Sequence, residues 1–250
     1  MENAINDAMI TAIQLLDKQA VISNNLANIS TTGFKEQLNY IINKNHNNTN
    51  MLDKEKVKEY YNFSQGILNY TERNLDCVVQ NNGWLVVKDS HGQEAYTKNG
   101  HIKINKYGKL TIQNHPIVGN NCDISIPNGS NIKISSTGKI ILINKTTKDV
   151  KDIIIGALKL VRCSDNNLLK RKNGLFYFNK KIKSYKHKNL NHDNNIRIKS
   201  GTLESSNVNP TKNMIDMISN ARQFDIQMKI ISMCDKNIEY ANQLLNVNSQ

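Results

Sequence analysis

Ser23-Asn24-Asn25-Leu26-Ala27-Asn28-Ile29-Ser30-Thr31-Thr32-Gly33-Phe34-Lys35 marks the point where a helical pattern stops. Upstream, a heptad with a at Ile5, Ala12, Gln19 and Leu26 puts Ala8, Leu15, Ile22 and Ile29 at d. All but Gln19 are apolar, so a narrow seam predicts a helix over 3–31 that needs a helical partner. Met9 and Leu16 widen the seam at e. Gly33 permits φ > 0 where the helix would end, and Phe34 can then pack back. Three Asn within five helical residues oppose helix propensity. Asn24, Asn25 and Asn28 fall at f, g and c, off the seam, and Asn24 and Asn28 share a face. Their amides point to a second face that meets another subunit and fixes register. The competing explanation is composition, because Asn fills 40 of 250 positions.

The other end of the chain carries a second seam. Asn209-Pro210 opens it, with Pro tolerated in the first turn. Position a is then Met214, Ala221 and Met228, and d is Met217, Phe224 and Ile231. Cys234, Ile238, Ala241 and Leu245 continue the line after one step of three residues where four is due, a local stammer. The pattern predicts a helix over 210–246, roughly 50 Å long at 1.5 Å per residue. A helix of that length with a thin apolar stripe requires helical partners, and the N-terminal seam is the first available.

Between the helices, the polar run 43–62 reads as a linker or an extended loop. Short β-like runs follow: 77–79, 84–87, 101–104, 110–112, 124–126, 132–134, 140–143, 153–161 and 175–178. Period-two alternation, as in Ile102-Lys103-Ile104 and Ile132-Lys133-Ile134, and turn signals such as Asn99-Gly100 and Thr137-Gly138 predict an all-β region. The expected fold class is therefore α+β. Long N- and C-terminal helices pair as a coiled-coil-like hairpin, and a central all-β domain lies between them. The expected divisions are 1–34 for the N-terminal helix, 35–74 for a linker, 75–200 for the β domain and 201–250 for a junction and the C-terminal helix. This is an assembly design, since each end alone buries too little surface.

Composition narrows the function. The formal charge is +12, from 33 Lys+Arg against 21 Asp+Glu. Of the basic residues 28 are Lys, and Lys, Asn and Ile together fill 99 positions. These three have the most A/T-rich codons, so drift explains the excess before any polyanion does. Residues 170–199 hold ten basic residues against Asp193 alone, interleaved with Phe176, Tyr177, Phe178 and Tyr185. A nucleic-acid patch is the alternative reading of this stretch, against a solvated surface. Cys77, Cys122, Cys163 and Cys234 are too widely spaced for a zinc or redox motif. No phosphate-loop, nucleophile-elbow or zinc-protease motif occurs, the six His are scattered, and Asp76 reads as a turn cap. No catalytic residue, cofactor or metal is expected, nor a small-molecule substrate. No apolar run is long enough to span a bilayer, and the first 30 residues lack the features of a cleavable signal.

Six fixed positions now carry a resemblance. Asn25, Ala27, Asn28, Thr31, Gly33 and Phe34 fit the signature that ends the N-terminal helix of the flagellar rod/hook protein family. Leu75-Asp76 with Asn82-Gly83-Trp84 resembles the start of that family's β domain, and Tyr96-Thr97-Lys98-Asn99-Gly100 resembles a motif within it. Gly201-Thr202-Leu203-Glu204-Ser205-Ser206-Asn207-Val208-Asn209-Pro210 is similar to its C-terminal junction. Met217-Ile218, Ala221-Arg222-Gln223-Phe224 and Ala241-Asn242-Gln243-Leu244-Leu245 also fit.

The resemblance implies a non-enzymatic structural subunit of the bacterial flagellar basal body. Its implied place is the proximal part of the rod, with the distal part as the alternative. The implied rod crosses the periplasm, transmits torque and carries exported proteins. Export would proceed unfolded through the flagellar type III apparatus, without a cleavable signal. Implied partners are proximal and distal rod subunits, the export apparatus and the rod cap; nucleic acid and membrane insertion are not expected. The expected assembly residues are Asn24, Asn25, Leu26, Ala27, Asn28, Thr31, Gly33, Phe34, Asn207, Val208, Pro210, Met217, Phe224, Met228, Leu244 and Leu245. The Lys/Asn-rich segment 179–195 has no counterpart in the family pattern.

Overall fold

The computed structural model describes residues 2–42, 56–120, 124–127, 130–143, 153–163, 168–171, 173–178 and 192–247. The chain divides into two compact units, each built from separated stretches. The first comprises 1–29, 36–62 and 208–250, and the second comprises 30–35 and 63–207.

The first unit holds helix α1 (Glu2–Ala27), strands β1 (Gln37–Ile42) and β2 (Lys56–Tyr61), and helix α2 (Pro210–Val247). On α1 the seam positions Ala8, Ala12, Leu15 and Ile22 are buried. Met9 and Leu16, expected to widen that seam, are exposed instead. The helix stops at Ala27, short of the expected 31. There the bonds tighten to i→i−3: the Asn28 N–H donates to Asn25 O at 3.2 Å and the Ile29 N–H to Leu26 O at 3.4 Å. Asn disfavours helix continuation because its amide competes for local backbone groups.

Helix α2 begins as expected. Pro210 occupies the first helical position and the Asn209 side chain accepts the Lys212 N–H at 3.1 Å, an N-cap. Its inward line keeps the expected Met217, Phe224 and Ile231 but replaces Met214, Ala221 and Met228 by the residue before each. A line of buried and half-buried positions runs from Asn213 through Met217, Asn220, Phe224, Gln227, Ile231, Cys234 and Ile238 to Ala241, flanked by half-buried Asp216 and Ile230. Steps of four and three alternate throughout, so no stammer is needed. Met214 and Met228 are exposed, as is Ala221. The displacement has a hydrogen-bonding cause. Asn213 Nδ2 donates to Asn209 O at 2.9 Å, and Asn220 Nδ2 donates to Leu15 O at 2.8 Å and Gln19 Oε1 at 2.9 Å. A polar side chain with partners can be buried where hydropathy alone assigns the neighbouring Met.

Of residues 35–74, expected as a linker, 43–55 lie outside the described residues, and the described part carries three strands. β1 and β2 form an antiparallel hairpin with register from Gln37↔Tyr61 to Ile42↔Lys56. Its sequence, Gln-Leu-Asn-Tyr-Ile-Ile against Lys-Val-Lys-Glu-Tyr-Tyr, is rich in β-branched and aromatic residues. The third strand belongs to the second unit.

The second unit is almost entirely β. In chain order it contains β3 (Leu68–Tyr70), β4 (Cys77–Val79), β5 (Gly83–Lys88), β6 (Glu94–Thr97), β7 (Lys103–Ile104), β8 (Leu110–Ile112), β9 (His115–Pro116), β10 (Asn131–Ile134) and β11 (Lys139–Ile143). β12 (Ile153–Ala157), β13 (Leu160–Arg162), β14 (Leu168–Lys170), β15 (Phe176–Phe178), β16 (Ile198–Ser200) and β17 (Thr202–Glu204) complete it. A five-stranded sheet runs β13-β5-β6-β15-β14, and three-stranded sheets run β10-β11-β12 and β7-β8-β9. β16 pairs with β4 and β17 with β3, so the end of this unit closes onto its beginning. The run 153–161, expected as one strand, divides because β12 pairs with β11 whereas β13 pairs with β5. The run 124–126 forms only an isolated bridge, Lys109↔Ser125. Leu85, Val87, Ile112, Ile140, Leu158 and Leu160 are central to the core. Trp84 is buried with Phe176 and Phe63 at ring-centroid distances of 5.1 and 5.5 Å.

Candidate assembly residues at the helix end and the junction

Within the first unit, the Asn cluster is tied to β1. Asn25 is 3% exposed; its Nδ2 donates to Gln37 O at 2.9 Å and its Oδ1 accepts the Gln37 N–H at 2.9 Å. The side-chain amide thus mimics a strand neighbour and satisfies both backbone groups of Gln37. Asn24 Nδ2 reaches Gln37 Oε1 at 3.1 Å. Asn28 Nδ2 donates to Asn24 O at 2.9 Å and to Asn24 Oδ1 at 3.0 Å. Both polar atoms of the Asn25 amide are thus engaged inside its own unit. Leu26 is half-buried and Ala27 exposed.

Within the second unit, the motif that ends at Lys35 and the junction that contains Glu204 meet at a buried ion pair. Lys35 Nζ lies 2.6 Å from Glu204 Oε1, with side chains 1% and 3% exposed. Lys35 Nζ also donates to Ser64 O at 2.8 Å, and the Gly66 N–H donates to Glu204 Oε1 at 2.9 Å. The backbone adds a Gly33 N–H bond to Glu204 O at 2.7 Å and an Asn207 N–H bond to Phe34 O at 3.5 Å. Asn207 Nδ2 donates to Ser64 O at 3.1 Å and to Ser64 Oγ at 3.2 Å. The Phe34 N–H donates to Thr31 O at 3.3 Å, forming the turn that carries Gly33.

Gly33 has φ +69°, and a Cβ there would stand 2.5 Å from the Lys98 carbonyl carbon. Glycine is therefore required both by conformation and by close backbone approach. Gly66 is required by approach alone, since its Cβ would sit 2.1 Å from Ser205 O. Phe34 is buried beneath the Lys170 ammonium, 4.1 Å from its ring centroid.

Sequence reasoning missed Lys35, Gln37 and Glu204. Lys35 and Glu204 lie inside the quoted motifs, but nothing local marks a charged residue as buried. Their separation by 169 positions hides the pair. Of the remaining expected residues, Val208 is buried, Met217 and Phe224 are half-buried on the inward line of α2, and Pro210 is exposed. Leu244 and Leu245 belong to α2, but their side chains lie outside the described residues.

Asp76 gathers a separate polar cluster in the second unit. Asp76 accepts from Thr71 Oγ1 at 2.8 Å and Arg73 Nη1 at 3.2 Å, and lies 2.9 Å from His101 Nδ1; Arg73 Nη2 caps Ile102 O at 2.7 Å. Burial, reinforced by Asp76, pushes the neighbouring Cys77 thiol up to about 12, which removes it as a nucleophile at neutral pH. Among the described residues, no group of three His, Cys, Asp or Glu is placed to hold a metal. No described helix is long and apolar enough to cross a membrane.

In the basic stretch 170–199, residues 172 and 179–191 lie outside the described residues, as does Cys122. Among the basic side chains described there, Lys170, Arg171 and Lys199 cover aromatic rings of the same unit: Arg171 lies 4.0 Å from the Tyr177 centroid and Lys199 lies 4.4 Å from that of Tyr70. Phe176 and Tyr177 are buried, so neither offers a face on which a base could stack.

Comparison with known proteins agrees with this architecture. Three family models match, described as "Flagella basal body rod protein" over residues 5–35, "Flagellar hook protein FlgE/F/G D1 domain" over 78–142 and "Flagellar basal body rod FlgEFG protein C-terminal" over 199–244. The chain is 60% identical over 250 residues to the flagellar basal-body rod protein FlgF of Buchnera aphidicola subsp. Schizaphis graminum, covering all of both chains. It is 40% identical over 250 residues to FlgF of Salmonella typhimurium, covering 99% of this chain and all of that relative. Its identity to FlgG of Buchnera aphidicola subsp. Acyrthosiphon pisum is 27%, over 90% of this chain and 92% of that relative. By full-length likeness and by matches at both ends and in the middle, the chain belongs to the flagellar basal-body rod protein family.

Proposed function

We propose that this chain is a structural subunit of the bacterial flagellar basal-body rod and catalyses no reaction. The carrying observation is the end-to-end likeness to rod proteins, which spans both helices, the junction and the β unit.

In finer detail, α1 and α2 act as an antiparallel, coiled-coil-like hairpin that stacks with neighbouring copies into the axial tube. The contact between the two helices and the bonds from Asn220 to Leu15 and Gln19 support this reading. Each helix keeps an apolar row facing outward: Met9, Ile13 and Leu16 on α1, and Met214 and Ile218 on α2. Rows of this kind, i, i+4 and i+7 on one helix, suit helical neighbours. Met228 lies outside the intramolecular line, so its role falls in contacts with other subunits. Asn25, Gly33, Phe34 and Asn207 act indirectly, by fixing the local shape at the helix end and the junction. Asn24, Leu26, Ala27, Asn28, Thr31, Val208, Pro210, Met217, Phe224, Leu244 and Leu245 complete the assembly set.

The subunit occupies the proximal part of a rod that crosses the periplasm, transmits torque and carries exported proteins. It reaches that place unfolded through the flagellar type III apparatus, and contacts proximal and distal rod subunits and the rod cap. The β unit lies outside the tube and spaces or locks neighbours.

Immunogold labelling of isolated basal bodies tests the assignment. Label on the rod is expected, and basal bodies that never carry it would overturn the proposal. Leu26→Asp should abolish rod assembly while the β unit keeps its near-ultraviolet signature. Rods of normal length containing the variant would remove the helix end from the assembly surface.

A further inference from the structure

The chain passes between the two units at 29/30, 35/36, 62/63 and 207/208. On the side of the second unit, the residues next to these crossings converge on one small network. Lys35, Ser64, Gly66, Glu204 and Asn207 are its members, and Glu204 is the hub. Its Oε1 accepts from both Lys35 and Gly66, and its backbone O accepts from Gly33. Asn207 reaches Ser64 through its side chain and Phe34 through its backbone. Few of these bonds belong to the regular ladders that hold the β core. They join three stretches, 30–35, 63–67 and 204–207, which apart from Glu204 at the end of β17 form no strand or helix, and whose other anchors include Phe63 against Trp84 and Phe34 beneath Lys170.

A buried ion pair breaks in an all-or-none manner. Removing either charge leaves the other uncompensated in a medium that cannot solvate it, so partial opening is costlier than complete opening, which returns both groups to water. Local openings of this kind occur as cooperative units with free energies below that of global unfolding. We propose that the Lys35–Glu204 network is a latch that opens as one unit while the β core stays closed, releasing together every stretch through which the chain leaves the second unit. Glu204 and Lys35 are positioning residues in this device. The inference rests on the geometry of the second unit alone and stands independently of the rod assignment.

Amide hydrogen exchange on the full chain, read by NMR, tests it. The reporters are Gly33, Gly66 and Asn207, whose N–H groups donate within the network, and Val86 of β5, which lies opposite Tyr96 of β6. In the wild-type protein the three latch amides should exchange at one common rate, faster than that of Val86. Glu204→Gln should accelerate all three by the same factor, roughly tenfold or more, with Val86 unchanged. Because the cost of the single change is the stranded Lys35 charge, Lys35→Met/Glu204→Gln should bring the rates back toward wild type. Unequal acceleration of the three amides would overturn the latch. So would acceleration of Val86 by the same factor, or a double variant that exchanges as fast as Glu204→Gln.

Discussion

Asn25 holds Gln37 by two hydrogen bonds of 2.9 Å, one to its carbonyl and one from its N–H, so that a helical side chain supplies the strand's missing backbone neighbour. This relationship turns the end of α1 into a template for the start of β1. Asn25→Ala would leave both backbone groups of Gln37 without a partner in a buried place. The expected cost is about 1–3 kcal/mol. The Gln37 amide should lose its protection from exchange, whereas Asn28→Ala, which removes the bonds to Asn24, should leave it protected.

Gly33→Ala should cost about 2–5 kcal/mol, the sum of a left-handed backbone penalty and a forced shift. The obstacle is the Lys98 backbone, which cannot swing aside as a flexible side-chain end does. Urea unfolding of the second unit, followed by Trp84 fluorescence, measures it. Gly92→Ala is the control: it also has positive φ but has open space around it, so only the conformational part should remain.

Asn220 is 2% exposed, and its Oδ1 has no hydrogen-bond partner among the described residues. Its amide therefore supplies pairing geometry at the expense of stability, as polar residues at a positions do. Asn220→Leu should raise the thermal midpoint of the helical signal at 222 nm. It should also broaden the distribution of associated species in sedimentation velocity, because apolar contact tolerates several registers.

Asp89 is held at about 2, below its ordinary 3.8, chiefly by the Tyr177 hydroxyl that donates to Oδ2 at 2.6 Å and then by the Ser90 N–H. Burial, with help from Asp89, raises the Tyr177 phenol in turn. A lowered folded-state value means the bond stabilises the fold above pH 3.8. That contribution is lost as pH falls through about 2. In Tyr177→Phe the Asp89 titration, followed by side-chain carboxyl NMR, should move up toward 3.8 without fully reaching it, because the Ser90 bond remains.

Much of the first unit could be read from spacing. The buried positions Ala8, Ala12, Leu15 and Ile22 all lie on the expected seam, because an isolated amphipathic helix has one way to hide its apolar residues. On α2 the same reasoning chose Met214 and Met228 over Asn213 and Gln227. Hydropathy ranks a side chain by its own transfer cost and takes no account of a partner across the interface. The strands of 35–74 were missed for a related reason: β1 and β3 are completed by Tyr61 and Glu204, and a strand has no internal hydrogen bonds to announce it.

Residue order alone is enough to place the two seam helices, the period-two β region between them, the Pro210 start of α2 and, through the motifs at both ends, the rod family. These are local or pattern properties, set by side-chain periodicity and by residues with special backbone preferences. The three-dimensional fold is what joins Lys35 to Glu204 in a buried bond across 169 positions, ties Asn25 to β1 and turns Asn220 inward. Each is a polar group whose burial depends on a partner outside its own segment, which the periodicity of that segment does not reveal.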